Sequence, residues 1–350
     1  MNSTDTTIGV AGLGLLGRGI AACCLAHGFR VVGYTQPDQP HEKAITYIDH
    51  AISDLIERAG FDPGLSQTWQ SKFEPVESLD SFAPCNFVIE SVIEDPTSKQ
   101  EVFDQIEEFI GPEVPVGSNT SAIPITQLQQ NRKNPDRFVG MHWAEPAHAT
   151  RFLELIRGEH TSEQTFEKAA ALAKRLGKEP SLVQKDVPGF IVNRIGYAMY
   201  REAAHMVDQG VADVETIDRS CRNAFGLWAA MCGPFRWMDI TGGPELYAKS
   251  IERVLPTLCS ENEQLPELLE RLKQEGAGGQ PTGSGFYEYS PDSPDWQKRY
   301  HEFAWRAKAL LDEFYPLDDR EETHRSSDCP CMIFWSLGPA QLASATFVVS

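Results

Sequence analysis

The sequence predicts an α/β fold in which a doubly wound, mostly parallel sheet is followed by a mainly α-helical second domain. Three observations carry this. The run Ile8-Gly-Val-Ala-Gly-Leu-Gly-Leu-Leu-Gly17 reads as a short buried strand that enters a glycine turn and opens a helix. Short apolar stretches then alternate with helical ones through the first half of the chain. After Pro188-Gly189 the pattern becomes helical and no strand pattern competes strongly.

Taken in order, strands are expected at 7–11, 30–34, 86–90, 114–117, 137–141, 152–156 and 181–184. Helices are expected at 15–27, 42–59, 97–110 and 162–176, the last capped by Ser162 and stopped by Gly177. The first domain then spans 1–186. A long helix over Ile191–Gln209 opens the second domain, 187–317, with further helical stretches at about 213–224, 243–254, 263–274 and 293–313. Residues 318–350 form an extension, charged from Asp318 to Ser327 and apolar from Met332 to Ser350, whose periodicity assigns no element.

The glycines Gly12, Gly14 and Gly17 have the G-x-G-x-x-G spacing of a Rossmann-type dinucleotide site. Gly12 allows the tight turn, Gly14 the approach of a pyrophosphate and Gly17 close helix–strand packing. The pyrophosphate would rest on the helix N-terminus, against the turn that holds Leu15 and Leu16, where free N–H groups favour an anion. The plainer alternative is a tight strand–helix turn.

A 350-residue chain that is 41% hydrophobic can bury the cores of two domains. A formal charge of -19 excludes a duplex nucleic-acid partner, which needs a basic surface. The polar N-terminus lacks a signal-peptide core and no apolar run is long enough to span a membrane, so a cytoplasmic location is expected. Eight cysteines in this length are not a disulfide framework; Cys23 and Cys24 read as small buried hydrophobes. Cys329-Pro-Cys331 has the wrong spacing for thioredoxin chemistry, and no compact His/Cys/Asp cluster suggests a metal.

His142 follows the apolar run Phe138–Met141 and stands where open α/β sheets place ligands. Glu154 lies between Leu153 and Leu155 in a short strand, an awkward place for an acid unless it has a buried partner. A strand–turn–strand return would bring the two together, the carboxylate fixing the imidazole tautomer. The alternative is a strand-edge histidine with a solvated glutamate. Asn193 could donate to a substrate carbonyl or could be a cap. Ser121, after Gly117-Ser-Asn-Thr120, belongs on the ligand side of the sheet or in a simple strand-to-helix turn.

Together, these stretches resemble the L-3-hydroxyacyl-CoA dehydrogenase family, a group that includes dehydrogenases of small hydroxy acids. The matching blocks are Gly12–Ala21, Ser118-Asn-Thr-Ser121, Gly140-Met-His-Trp-Ala-Glu-Pro146, Phe152–Ile156, Lys185–Arg194, Gly233-Pro-Phe235 with Asp239 and Gly242, and Thr282-Gly-Ser-Gly-Phe-Tyr287. The resemblance covers about residues 7–290. It implies oxidation of an L-3-hydroxy group to a 3-keto group with NAD. His142 would be the general base, Glu154 its support, and Ser121 and Asn193 the holders of the reacting oxygen and substrate carbonyl. Glu94 and Lys99 match cofactor-contacting positions. The helical half would complete the pocket and form a homodimer.

Three positions depart from the family pattern. Thr35 stands where an aspartate usually binds the adenosine ribose, yet no arginine beside it welcomes a 2′-phosphate, so NAD stays ahead of NADP. Glu145 replaces the asparagine of His-x-x-Asn-Pro on the nicotinamide side. It would add charge beside His142 or pair with a cationic substrate group. Pro281 replaces a lysine. Trp143 and Ala144 follow the histidine where long-chain enzymes show phenylalanines, and residues 41–80 carry no basic cluster for CoA phosphates. These features favour a free hydroxy acid, with a 3-hydroxyacyl-CoA as the other substrate class. The alternatives are NADP use, another secondary alcohol, or a non-catalytic dinucleotide-binding protein.

Overall fold

The structure, a computed structural model, describes residues 6–36, 39–259 and 265–317. Eight strands form one sheet: β1 (Thr7–Ala11), β2 (Arg30–Tyr34), β3 (Phe73–Val76), β4 (Phe87–Glu90), β5 (Val116–Ser118), β6 (Phe138–Trp143), β7 (Phe152–Ile156) and β8 (Glu179–Val183). Their order is β3-β2-β1-β4-β5-β6-β7-β8, parallel throughout except for the antiparallel β6–β7 pair. The chain runs outward from β1 to β3 and returns to β4 on the other side of β1. That reversal opens a crevice beyond the strand ends, the doubly wound arrangement expected.

The helices within the sheet-forming region are α1 (Leu15–Ala26), α2 (Glu42–Ala59), α3 (Leu65–Thr68), α4 (Pro96–Phe109), α5 (Ile125–Leu128) and α6 (Glu163–Arg175). Two apolar cores flank the sheet. One joins α1, α2 and α6 to Met141, Trp143, Leu153 and Leu155. The other joins α4 and α5 to Phe138, Ile156 and Phe190. Each fully buried Leu, Ile or Phe contributes about 1.5–3 kcal/mol, so both faces must be covered. Alternation along β6 then points His142 away from the α1 face and toward the second. Local signals set the helix ends. Asp95 accepts the Ser98 amide at 2.8 Å with Pro96 in the first turn of α4. The expected cap Ser162 accepts from the Thr165 amide, and Gly177 ends the helix at φ +65°.

β3 has no counterpart among the expected strands. Pro75 argues against a strand, but β3 lies at the sheet edge, where the ring leaves no ladder bond unmade.

Beyond β8 the described residues are mainly helical, with two isolated β-bridges around Ser284: α7 (Val192–Asp208), α8 (Val214–Ser220), α9 (Gly226–Ile240), α10 (Gly243–Val254), α11 (Glu267–Gln274) and α12 (Trp296–Phe314). α9 was not expected. It is two helical pieces joined at Gly233, whose φ of +69° breaks the run before Pro234. Much apolar surface here is uncovered: Leu227 is 72% and Phe235 79% exposed. α12 returns to the sheet-forming region. Arg151 donates to the Leu311 and Tyr315 carbonyls, and Arg58 pairs with Glu302 at 2.6 Å. Among the described residues no helix is long and apolar enough to cross a membrane. Cys329, Cys331 and the apolar stretch from Met332 lie outside the described residues.

Candidate active site

The glycine turn sits where β1 meets α1. Gly12 has φ +106°, and a Cβ there would lie 2.6 Å from the Ser91 carbonyl oxygen. A Cβ on Gly17 would lie 1.8 Å from the Gly12 carbonyl oxygen. At Gly14 an added Cβ would meet no protein atom within 4 Å. No side chain caps α1 and no acid stands in its first turn, which begins Leu15-Leu16. The open side of Gly14 and the uncapped amides fit the pyrophosphate of NAD.

Thr35, just past β2, is 4% exposed and its hydroxyl bonds His41 Nδ1 at 2.6 Å. His41 Nε2 in turn lies 3.8 Å from Glu77. A hydroxyl, an imidazole and a carboxylate thus follow one another at the end of β2, an arrangement that sequence spacing does not reveal.

Two acids knit the loop after β5. Glu90 accepts from Ser118 Oγ at 2.6 Å, the Val92 amide and Lys99 Nζ. Glu94 Oε1 accepts from the Thr120 hydroxyl at 2.6 Å and the Ser121 and Ala122 amides. Partial burial alone would raise the Glu94 carboxyl, but the Thr120 bond, the Lys99 charge and the two amides together hold it below its ordinary value. Lys99 itself is fully buried between Glu90 and Glu94. Lys99, expected to contact the cofactor, has its ammonium 2.7 Å from Glu90 and 3.4 Å from Glu94.

His142 and Glu154 are directly opposed across β6–β7. His142 Nδ1 lies 2.8 Å from Glu154 Oε2, and the two residues are 7% and 1% exposed. The other carboxylate oxygen accepts from the Ile191 and Val192 amides at 3.1 and 3.0 Å. An ionised carboxylate can only accept, so the proton sits on Nδ1 and Nε2 is left with its lone pair. The ring packs against Phe152 and Phe190, at 5.7 and 5.8 Å between centroids. Phe190 holds φ +49° directly after Gly189 at φ +74°. A left-handed phenylalanine is costly unless its surroundings enforce it; here the turn lays the ring on His142 and presents the next two amides to Glu154.

Asn193 Nδ2 donates to the Ser121 carbonyl at 2.8 Å, and the Gly189 amide to the Ala122 carbonyl. Ser121, Asn193, His142, Glu154 and Glu94 therefore belong to one connected region. Asn119 joins it, accepting from the Trp143 amide and donating to Ser91 Oγ. Phe190, Glu90 and Asn119 were not singled out from sequence. Glu90 carried a usable signal, an acid closing the apolar run Phe87-Val-Ile, the same signal that exposed Glu154.

Glu145 has partners that its motif does not reveal. Its Oε1 accepts from Tyr47 and lies 3.1 Å from His301 Nε2, on the α12 side. One carboxylate oxygen is therefore engaged by α2 and α12. The Glu145 bond raises the His301 imidazole above its ordinary value, against the opposing effect of burial. A raised folded-state value contributes stability that is fully present below about pH 6.5 and lost as pH rises through the raised value. We expect the melting temperature of wild type to exceed that of His301→Gln at pH 6, with the gap closing by pH 9 in thermal unfolding.

A glycine turn suited to a pyrophosphate, at the switch point of a doubly wound sheet, with a buried His–Glu pair at a strand end, defines a dinucleotide-dependent dehydrogenase. The model of the NAD-binding domain of 3-hydroxyacyl-CoA dehydrogenase matches residues 7–187, and that of its C-terminal domain residues 189–289. The chain belongs to the 3-hydroxyacyl-CoA dehydrogenase family and is an NAD-dependent enzyme of that type, which oxidises a 3-hydroxy group to a 3-keto group. It is 34% identical over 286 residues to 5-formyl-3-hydroxy-2-methylpyridine 4-carboxylate 5-dehydrogenase of Mesorhizobium japonicum, covering 81% of this chain and 91% of the relative. A 3-hydroxybutyryl-CoA dehydrogenase assigned as probable in Deinococcus radiodurans is also 34% identical, over 80% of this chain and 99% of its own length. Among solved structures, a 5-formyl-3-hydroxy-2-methylpyridine 4-carboxylic acid 5-dehydrogenase superposes with TM-score 0.80 at 30% identity, covering 90% of this chain and 99% of that one. The (S)-3-hydroxybutyryl-CoA dehydrogenase of Ralstonia eutropha gives 0.67 at 31% identity, over 81% and 99%.

Proposed function

We propose that this enzyme oxidises the L-3-hydroxy group of a compact 3-hydroxy acid or 3-hydroxyacyl-CoA, with His142 as general base. The observation that carries this is the 2.8 Å bond from His142 to buried Glu154, which leaves Nε2 directed as an acceptor. NAD, held at the glycine turn, supplies the hydride acceptor. His142 Nε2 takes the hydroxyl proton, and Glu154 stabilises the imidazolium that forms. In the reverse direction the same nitrogen returns the proton. Ser121 and Asn193 hold the reacting oxygen and the substrate carbonyl, and Glu94 fixes the loop that carries Ser121.

Of the two substrate classes, the free acid is favoured. The likeness to the relative named for a pyridine carboxylate extends over 90% of this chain with TM-score 0.80, against 81% and 0.67 for the R. eutropha enzyme named for a CoA thioester. Absorbance at 340 nm with L-3-hydroxybutyrate, L-3-hydroxybutyryl-CoA, L-gulonate and L-carnitine tests the reading. Turnover of a free acid supports it, turnover of the thioester alone moves the substrate to the CoA class, and tight NADH binding without turnover of any favours a dinucleotide-binding protein.

The Thr35–His41–Glu77 relay supports NAD over NADP, since a 2′-phosphate would face the Glu77 carboxylate. His41→Arg is expected to raise kcat/KM with NADP relative to NAD about tenfold, or about 1.4 kcal/mol. Steady-state kinetics with both cofactors checks this.

We further propose a nucleotide-binding unit of 1–186, a helical unit of 187–317 and an extension of 318–350. The helical unit joins two copies in a homodimer through surface such as that around Leu227 and Phe235. The setting is cytoplasmic, in keeping with the free thiols of Cys23, Cys24 and Cys85.

A further inference from the structure

The strands that carry the catalytic pair, β6 and β7, are joined by residues 144–151, and α12 holds that connection along its length. At its start, the Tyr300 hydroxyl donates to the Glu145 carbonyl at 3.1 Å, and His301 Nε2 lies 3.1 Å from Glu145 Oε1. In its middle, the Trp305 ring packs on the His148 ring at 5.9 Å between centroids. At its end, Arg151 donates to the Leu311 and Tyr315 carbonyls and lies 3.5 Å from Asp312. His301, Trp305 and Asp312 fall at the spacing of one helix face. The first turn of α12 is fixed from the other side. Gln280 accepts from the Trp296 amide at 3.2 Å and donates to the Pro294 carbonyl at 2.7 Å.

Covering apolar surface does not by itself require this arrangement. Trp305, 6% exposed and part of the core shared with α1, α2 and α6, supplies the apolar docking. Tyr300 is half exposed, and its hydroxyl bond contributes only about 0.5–1.5 kcal/mol. What that bond fixes is the backbone three residues after His142. Between the two, the Trp143 amide is held by Asn119 at 3.0 Å. Glu154 is held separately, by the Ile191 and Val192 amides. The two members of the pair therefore have different anchors: Glu154 the turn before α7, His142 the Asn119 side chain and α12. Proton transfer needs the reacting atoms within about 3–3.5 Å, and a misplacement of about 1 Å can cost about 10²-fold in rate.

We propose that α12 is a clamp on the β6–β7 hairpin, with Tyr300 and His301 as positioning residues for His142, an inference that rests on the reading of His142 as general base. The bonds of α12 to the hairpin involve none of Gly12, Gly14 and Gly17, so the clamp acts on the chemical step and leaves the glycine turn alone. α12 begins beyond residue 289, the last residue matched to the family's C-terminal domain, so the domain pattern does not disclose it.

Hydrogen–deuterium exchange and steady-state kinetics of the full chain test this, with the double variant Tyr300→Phe/His301→Leu and, as control, Glu302→Gln. Glu302 stands on the same helix but pairs with Arg58 of α2, so its replacement weakens docking without releasing the hairpin. In the double variant, exchange across residues 142–150 is expected to rise about tenfold. Its kcat, with whichever of the four panel substrates wild type turns over, is expected to fall about tenfold while KM for NAD stays within about twofold. Glu302→Gln is expected to leave exchange and kcat within about twofold. Should thermal unfolding show the double variant unfolded, Tyr300→Phe alone is expected to lower kcat about threefold at an unchanged melting temperature. Unchanged exchange, faster exchange with unchanged kcat, or an equal loss of kcat in Glu302→Gln overturns the proposal, and the dehydrogenase reading stands as long as His142→Ala loses turnover. If His142→Ala turns over like wild type, or wild type turns over none of the panel, that reading fails on its own. The exchange measurement then decides for the clamp: faster exchange in the double variant alone supports it, and unchanged exchange overturns it.

Discussion

Replacing His142 with alanine is expected to lower kcat by about 10²–10⁴-fold while NADH affinity stays within about threefold. The imidazole presents a free lone pair at the strand end with a carboxylate behind it, at 2.8 Å. Removing it takes away the proton acceptor and leaves the glycine turn untouched. Glu154→Gln separates chemistry from scaffolding. The native carboxylate accepts three bonds, from His142 Nδ1 and the Ile191 and Val192 amides. An amide has one acceptor oxygen, so its NH2 either opposes the backbone pair or faces Nδ1, where it forces the Nε2–H tautomer and removes the acceptor lone pair. That mismatch costs about 1–3 kcal/mol of stability. It also removes the charge that stabilises the imidazolium, so kcat of the folded enzyme falls as well. Were Glu154 only structural, Glu154→Gln would lower the melting temperature with kcat of the folded fraction unchanged. Stopped-flow measurement of NADH production, paired with NADH titration, distinguishes these outcomes.

The His142–Glu154 pair was legible in the sequence because burial of an acid between Leu153 and Leu155 is unfavourable without a partner, and because a twelve-residue return allows an antiparallel pair. The doubly wound sheet was legible for a similar reason: buried parallel strands are short apolar runs bounded by helices. What was hidden depends on contacts between segments far apart in the chain. Glu145 read as a charge beside His142 or a partner for a cationic substrate group, because adjacency in sequence is all a motif shows. Its partner His301 lies 156 residues later, on a helix whose docking position no periodicity reveals. The ion pairs of Lys99 with Glu90 and Glu94 were hidden in the same way, since spacing alone does not show which side chains meet. Phe190 illustrates a third limit. Its left-handed backbone is imposed by tertiary packing, and intrinsic preference argues against it.

Gly17→Ala is expected to disable both stability and cofactor binding, whereas Gly14→Ala is expected to disable binding alone. The two glycines belong to one motif, but the protein surrounds only one of them. A methyl at position 17 would lie 1.8 Å from the Gly12 carbonyl oxygen and 2.9 Å from its carbon, both backbone atoms. No rotamer relieves that overlap. α1 must move away from β1, loosening Ile20, Leu25 and the core they fill, at about 1–3 kcal/mol or more. The same movement carries the first-turn amides away from the phosphate position, so NADH affinity falls at least tenfold, about 1.4 kcal/mol. At Gly14 φ is -66°, which alanine adopts freely, and the added methyl meets no protein atom within 4 Å. The melting temperature of Gly14→Ala should therefore stay near wild type. The methyl instead projects over the uncapped end of α1, where a pyrophosphate would approach the backbone, so NADH affinity falls although nothing in the protein is disturbed. Calorimetry and NADH fluorescence titration on both variants test the difference. If Gly14→Ala bound NADH as wild type does, the open side of the turn would not be where the pyrophosphate rests, and the cofactor would have to be held by contacts other than this helix end.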